Sequence, residues 1–397
     1  MRPPMTFEDS LEWARAQDAA DELAPLREEF LFPETGHLYF AGHSLGLQPR
    51  RARELVLQEM DDWARFAVEG HFAARNPWVG YHELLTASTA RLVGALPHEV
   101  VVMNTLTVNL HLLLVSFYQP RPGKHRLLME AGAFPSDQYA AAAQARFHGF
   151  PDAVIESDDP QRELEDRDDV ALALIGNVNY LTGRARDQRA LVRAAHAKGA
   201  RIGFDLAHGA GNLALTLHED GPDFAVWCNY KYLNAGPGGL GGAFVHERHA
   251  EAALPRFEGW WGHDKAHRFE MAPRFSPIHG AEAWQVSNPP ILQLAALRAS
   301  MELFDRAGMP ALRRKGDRLT SYLEWLLRRR GAEVLTPKER GSMLTVRFRK
   351  RELVPELARR GAVVDLRPPD IVRITPAPLY NSFEDVQRLG ALIAEPA

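Results

Sequence analysis

The sequence predicts an α/β fold: a mostly parallel sheet flanked by helices, joined to a second, smaller α+β domain. Three observations predict it. From about residue 100 onward, apolar runs of four to six residues alternate with helical patterns, which is the sequence form of βα units. After Pro289-Pro290 that alternation gives way to two long helical stretches and then to shorter strand-like pieces. The 397 residues are 46% hydrophobic and 25% charged, enough apolar material for a substantial core, which excludes a disordered or fibrous chain.

Along the chain, the first 50 residues mix a short acidic helix-like stretch with loop signals. Ala52, Val56, Met60, Trp63 and Ala67 recur at spacings of three and four, the apolar stripe of an amphipathic helix. Residues 71–80 read as an irregular loop punctuated by Pro77 and Gly80. Val100–Met103 is a strand, and Asn104-Thr105 is suited to cap a helix over 106–118. Arg126–Glu130 is the next strand. Phe134-Pro135-Ser136-Asp137 then leads into an Ala-rich helix that ends at Gly149. A strand over 171–176 precedes a helix over 188–198, capped by Asp187 and stopped by Gly199. Arg201–Asp205 and Phe224–Cys228 are strands, and a Gly-rich loop separates them from a last one at 243–245. Helices are expected from Pro290 to about Ala307, over 310–330 and over 382–394, with strands at 343–348, 362–366 and 371–375. The large domain is expected over 51–290. The small one is expected over 291–397, packed with the N-terminal segment 1–50.

Composition narrows the function. The formal charge is −4, so no broad basic field exists and general nucleic-acid binding is not expected. No stretch of about 18 uninterrupted apolar residues suggests a membrane span. The single Cys228 rules out a disulfide framework within one chain and suits a reducing compartment. The N-terminus is charged and lacks an apolar signal core, so a cytoplasmic location is expected. HExxH, Walker A and paired-Cys patterns are absent, and no metal is expected.

In open α/β sheets, ligands bind beyond the carboxyl ends of the strands. Here those ends carry Phe134 with Asp137, Asn177, Asp205 with His208, and Tyr230 with Lys231. The helix start at Thr105–Thr107 adds free backbone N–H groups, suited to a phosphate. Asp205 and Lys231 sit on successive strand ends. An Asp there holds a protonated pyridine nitrogen and a Lys forms an imine with an aldehyde, the two groups pyridoxal phosphate (PLP) needs most. Glycines 236, 238, 239, 241 and 242 let backbone approach a bulky cofactor. As a dinucleotide loop the same GPGGLGG fails, because it leads into a strand rather than a helix.

One motif competes. Gly42-His43-Ser44-Leu45-Gly46 matches the G-x-S-x-G nucleophile elbow of serine hydrolases and follows a strand-like run at 37–41. Only some forty residues precede it, too few for the earlier strands and oxyanion-hole loop of that fold. A tight turn or a substrate contact is the better reading.

The segments AGHSLGLQP, FPSDQYA, VNYLTG, FDLAHGAGN, DFAVWCNYKYLN, GWWGH, VSNPPIL and PLYNSF run in order from about residue 37 to 385. With them the chain resembles kynureninase, the PLP enzyme that hydrolyses L-kynurenine to anthranilate and L-alanine in tryptophan catabolism. The resemblance implies the aspartate-aminotransferase-type PLP fold and a homodimer with active sites at the subunit interface. It implies that Lys231 is the Schiff-base residue, Asp205 the pyridinium partner with His208 beside it, and Phe134 the stacking aromatic. Asp137 lies in the same cofactor motif, and Leu106 and Thr107 match the phosphate turn. Tyr230 matches a phosphate ligand that relays protons. Trp260 and Asn288 match residues reaching cofactor or substrate from the other subunit, Ser44 and His71 match pocket positions, and Arg373 matches the grip on the substrate carboxylate. One departure is visible: Gly176 stands where a Ser or Thr is expected near the cofactor, with Asn177 as the residue able to compensate.

Overall fold

The computed structural model describes residues 6–34, 37–348 and 353–394. Its main sheet has seven strands. In chain order β1 to β7 they are Val100–Met103, Arg126–Glu130, Val154–Ser157, Val170–Gly176, Arg201–Asp205, Phe224–Cys228 and Gly241–Val245. They lie side by side as β1-β7-β6-β5-β4-β2-β3. The pairs from β6 through β3 are parallel, whereas β7 runs antiparallel to both neighbours. That reversal follows from the connection. Residues 229–240 form a turn-rich loop with no crossover helix, and a parallel return needs one.

The strands are apolar on both faces because helices cover both. Along β4, Ala173 and Ile175 join the core on one side of the sheet, and Leu172 and Leu174 join the core on the other. A third core lies under a four-stranded antiparallel sheet, in which Glu333–Val334, Leu344–Arg347, Ile371–Ile374 and Asp365–Arg367 are neighbours in that order. Ala14 and Phe40 pack into this third core with Leu319, Tyr322, Phe383 and Val386. Helix Ile291–Ala307, although it follows residue 290, packs on helix Arg50–Phe66 and gives Leu294, Leu297 and Leu303 to the core of the large sheet.

Several expectations need correction. Helix Arg50–Phe66 forms, but its apolar stripe reaches the core only in its first half: Ala52 is buried and Val56 packs against the core, whereas Met60, Trp63 and Ala67 are exposed and Glu59 and Asp62 are buried beside them. The acidic side chains turn inward because the following segment supplies donors. Glu59 accepts from Trp78 Nε1 at 3.0 Å and Asn76 Nδ2 at 3.1 Å, and Asp62 accepts from the Arg75 N–H at 2.9 Å. Those contacts order residues 71–80, expected as a loop, into helix Gly70–Ala73 and a 3₁₀ turn, Trp78–Leu85. β3 and helix Pro160–Asp166 were not foreseen; β3 is a half-polar edge strand with no alternation to read. The expected strand at 362–366 is two pieces, since Ala362–Val363 pairs parallel with Leu38–Tyr39 while Asp365–Arg367 joins the small sheet.

Candidate active site

Five segments converge at the carboxyl edge of the parallel strands. Leu106 and Thr107 follow β1. Glu130 ends β2, and Phe134 and Asp137 follow it. Gly176 ends β4, Asp205 ends β5 with His208 just beyond, and Tyr230 and Lys231 follow β6. All of them line one cavity of about 230 Å³.

Lys231 Nζ lies 3.1 Å from His208 Nε2 and 5.8 Å from the centre of the Phe134 ring. Burial, reinforced by the Lys231 charge, holds the His208 pKa well below the usual imidazole value, so His208 is neutral with its Nε2 facing the Lys231 amine. Asp205 accepts the Ala207 N–H at 2.7 Å, which fixes one side of its carboxylate. Asp137 is buried with Oδ1 unpartnered. Burial, and then the Asp205 carboxyl beside it, raises its pKa well above the carboxylate range, so the two acids do not both ionise. Phe134 is 41% exposed, its ring held edge-on by Tyr180 at 5.1 Å between centroids.

The anion end of the cavity is built from two helix starts. Thr105 does not cap helix Leu106–Phe117 with its side chain, contrary to expectation, and so leaves the first-turn N–H groups available. Thr107 Oγ1 meets Ser136 Oγ, from the first turn of helix Pro135–Phe147, at 2.7 Å. A Cβ on Gly241 would stand 3.1 Å from the Leu106 nitrogen and 2.8 Å from the Trp227 carbonyl, so this glycine lets the helix start sit close to the sheet. Gly236 and Gly238 have other work. Both take positive φ in the turn after Lys231, and nothing approaches them. Burial, with Cys228 adjacent, raises the Tyr230 pKa and keeps its phenol protonated. Burial pushes the Cys228 thiol up to about 11, so it is no nucleophile.

An amine, a carboxylate, an aromatic face and an anion cradle thus share one cavity, which is the donor set PLP requires. Lys231, Asp205, Phe134, and Leu106 with Thr107 would hold it.

At Gly176 the compensating group is not Asn177. The Asn177 amide packs against Gly209, where a Cβ would fall 2.2 Å from Nδ2. Glu130 fills the space instead: a Cβ at Gly176 would come within 2.6 Å of its Oε1. Glu130 is buried and paired with Arg186 at 3.2 Å. Gly176→Ser is therefore expected to displace this carboxylate and weaken PLP binding to the apoprotein by roughly ten- to hundredfold, as overpacking by about 1–3 kcal/mol does. Titration of apoprotein with PLP, followed by absorbance, measures it, and an unchanged affinity would show that Glu130 yields without cost.

The other expected site residues lie elsewhere. Ser44 is exposed in a turn whose Ser44 N–H bonds to the Ala41 carbonyl at 2.9 Å. No helix begins there, and His43 Nδ1 is engaged by Thr375 Oγ1 at 2.8 Å, so no nucleophile elbow forms. His71, Trp260 and Asn288 line a separate apolar cavity of about 190 Å³ with Val68, Phe72 and Phe269. It shares no residue with the Lys231 cavity. Arg373 is buried in the small sheet, its Nη1 donating at 2.7 Å to the carbonyl of Tyr180, which itself lines the Lys231 cavity.

Comparison with known proteins decides the family. A kynureninase of Myxococcus xanthus is 58% identical, covering 98% of this chain and 97% of its own, and one of Stenotrophomonas maltophilia is 53% identical, covering 94% and 95%. The chain belongs to the kynureninase family. It is a PLP-dependent hydrolase that acts on a carbon–carbon bond of kynurenine in tryptophan catabolism. Residues 312–393 match the family model of the kynureninase C-terminal domain. Among solved structures, C-DES with glycine covalently linked to its PLP cofactor superposes with a TM-score of 0.80 at 17% identity, covering 94% of this chain and 99% of its own. The Escherichia coli cysteine desulfurase CsdA superposes with a TM-score of 0.78 at 18% identity, covering 94% and 97%. These two share the aspartate-aminotransferase-type fold with this chain. The sequence expectation of that fold, cofactor and family is met. The rival possibility, a serine hydrolase on Ser44, finds no support in the placement of that residue.

Proposed function

We propose that the protein hydrolyses the Cβ–Cγ bond of L-kynurenine at the Lys231 cavity, releasing anthranilate and L-alanine. The observation that carries this reading is the placement of Lys231, Asp205, Phe134 and the Leu106 helix start around one cavity at one sheet edge. PLP, when bound there, supplies the electron sink. Every other task falls to the chain. Asp205 keeps the pyridine nitrogen charged, and the largely un-ionised Asp137 beside it limits the charge of the acidic pair. Lys231, released by the substrate amine and steadied by neutral His208, takes the α-proton and returns it where it is needed. Tyr230 keeps a proton on its phenol to give to the developing negative charge. Arg373 binds the α-carboxylate, which fixes the orientation of the α-carbon over the ring.

The proposed unit is a homodimer in which His71, Trp260 and Asn288 of one protomer complete the Lys231 cavity of its partner and recognise the aromatic ring. Two features support it. The three residues cluster away from the Lys231 cavity of their own protomer, and they are bordered by the exposed apolar side chains Val68, Phe72 and Phe269, the kind of surface a subunit interface covers. The outward stripe of Leu57, Met60 and Trp63 adds to the exposed apolar surface. The same pocket would choose between kynurenine and 3-hydroxykynurenine. Among the described residues no helix is long and apolar enough to cross a membrane, and the single buried Cys228 suits a cytoplasmic enzyme.

Arg373→Ala tests the substrate assignment. It is expected to raise KM for L-kynurenine by about tenfold or more, the loss of a charge-assisted pair, with kcat less affected. A KM equal to that of the wild type would remove Arg373 from the substrate site.

A further inference from the structure

Arg373 is not held by the cavity wall alone. The register of the small sheet sets Asp365 directly opposite Arg373, with Thr345 on its other side. Arg373 Nε donates to Asp365 Oδ2 at 2.6 Å, and Nη2 is ion-paired with the same oxygen. Only Nη1 extends to the Tyr180 carbonyl at the wall of the Lys231 cavity. Asp365 Oδ2 also accepts from Arg367 Nε at 3.0 Å and lies 3.5 Å from His43 Nε2. His43 is fully buried and anchored through Nδ1 to Thr375 Oγ1.

We propose that Asp365, backed by His43, is a positioning residue for the substrate: it grips the Nε–Nη2 edge of Arg373 so that the Nη1 end is presented to the α-carboxylate of the amino acid. This inference rests on the role assigned to Arg373 above. Three arguments carry it. A guanidinium on a long flexible side chain gives directional recognition only when its rotamer is fixed, and here one edge is fixed by a carboxylate directly across the strand pair. The charge count leaves room for a ligand. Two guanidiniums, Arg367 and Arg373, share the one Asp365 carboxylate, and burial lowers the His43 pKa to about 4, so His43 is neutral at pH 7. The cluster therefore keeps one net positive charge for the incoming carboxylate. Finally, the grip uses the edge away from the cavity wall, so Asp365 orients the fork rather than competing for the end that faces substrate.

The test is steady-state kinetics of the PLP-loaded enzyme with L-kynurenine. Asp365→Asn keeps the shape and removes the charge. It is expected to raise KM by about tenfold, with kcat changed by less than about threefold and PLP content unaltered. The double variant with Arg373→Ala is expected to be no worse than Arg373→Ala alone, because the two residues act as one unit. Asp365→Glu keeps the charge needed for folding but displaces it by one methylene; it is expected to raise KM by about threefold, less than Asp365→Asn does. It keeps the question answerable if the Asn variant does not fold. If KM for Asp365→Asn or Asp365→Glu is unchanged or falls while Arg373→Ala raises it, Asp365 has no positioning role and Arg373 keeps its own. If the two single effects simply add, they are independent and the inference also fails. If Arg373→Ala leaves KM unchanged, the role of Arg373 is wrong, and the inference falls with it.

Discussion

Lys231→Ala is expected to lower turnover of L-kynurenine by at least about a thousandfold, the upper part of the range for loss of a positioned proton-transfer group. The size of the effect follows from its two duties. In the proposed site Lys231 is the amine that would carry PLP, and it lies 3.1 Å from neutral His208, in place to move the α-proton. No other lysine lines the cavity to replace it. The variant should fold, since Lys231 is half-buried and lines the cavity rather than a hydrophobic core. Two readouts separate loss of chemistry from loss of cofactor. Anthranilate fluorescence reports turnover, and borohydride reduction followed by peptide mapping should label Lys231 in the wild type and nothing in the variant. A variant that keeps turnover near the wild-type level would overturn the site.

The second large effect is a gain rather than a loss. Lys231→Ala and Asn288→Ala homodimers should each be nearly inactive. Hybrids formed by subunit exchange should recover about a quarter of wild-type activity, because half the dimers are mixed and each mixed dimer has one intact site. The reason is geometric: His71, Trp260 and Asn288 line a cavity that shares no residue with the Lys231 cavity of their own chain. If the two sets served one protomer, mixing would restore nothing. Hybrids purified by two different tags contain only mixed dimers, so they should show about half of wild-type anthranilate release, and no release would contradict the shared site.

Much of the fold was legible because its signals are local. The strands Arg201–Asp205 and Phe224–Cys228 are short apolar runs, and Asp187 caps its helix as its position suggests, accepting the Ala190 N–H at 3.0 Å. Helix Arg50–Phe66 was legible as a helix but not in its orientation. Its first half buries the apolar residues its periodicity marks, but its second half buries Glu59 and Asp62, whose donors lie on a later segment. The exposed part of the helix, Leu57, Met60 and Trp63, is instead the kind of surface a subunit interface covers.

The site divides along the same line. Asp205, His208, Tyr230 and Lys231 could be read from the ends of consecutive strands. Glu130 ends a strand in the same way and was missed, because nothing local shows that Gly176, two strand ends later in the chain, opens the space for its carboxylate. Asp365 was missed for a similar reason. Its pairing with Arg373 depends on strand register across a turn, which the residues of 365–373 do not declare. His43 was read only as part of a hydrolase-like motif around Ser44, and its partner Thr375 lies at the far end of the chain.

We propose that this cavity, with PLP bound, cleaves L-kynurenine between Cβ and Cγ. The most direct measurement is to incubate the purified PLP-loaded protein with L-kynurenine and quantify anthranilate by fluorescence and L-alanine by chromatography. The two products are expected in equal amounts, at a rate proportional to enzyme. A yellow, borohydride-reducible protein that yields neither product from L-kynurenine or from its 3-hydroxy form would contradict it.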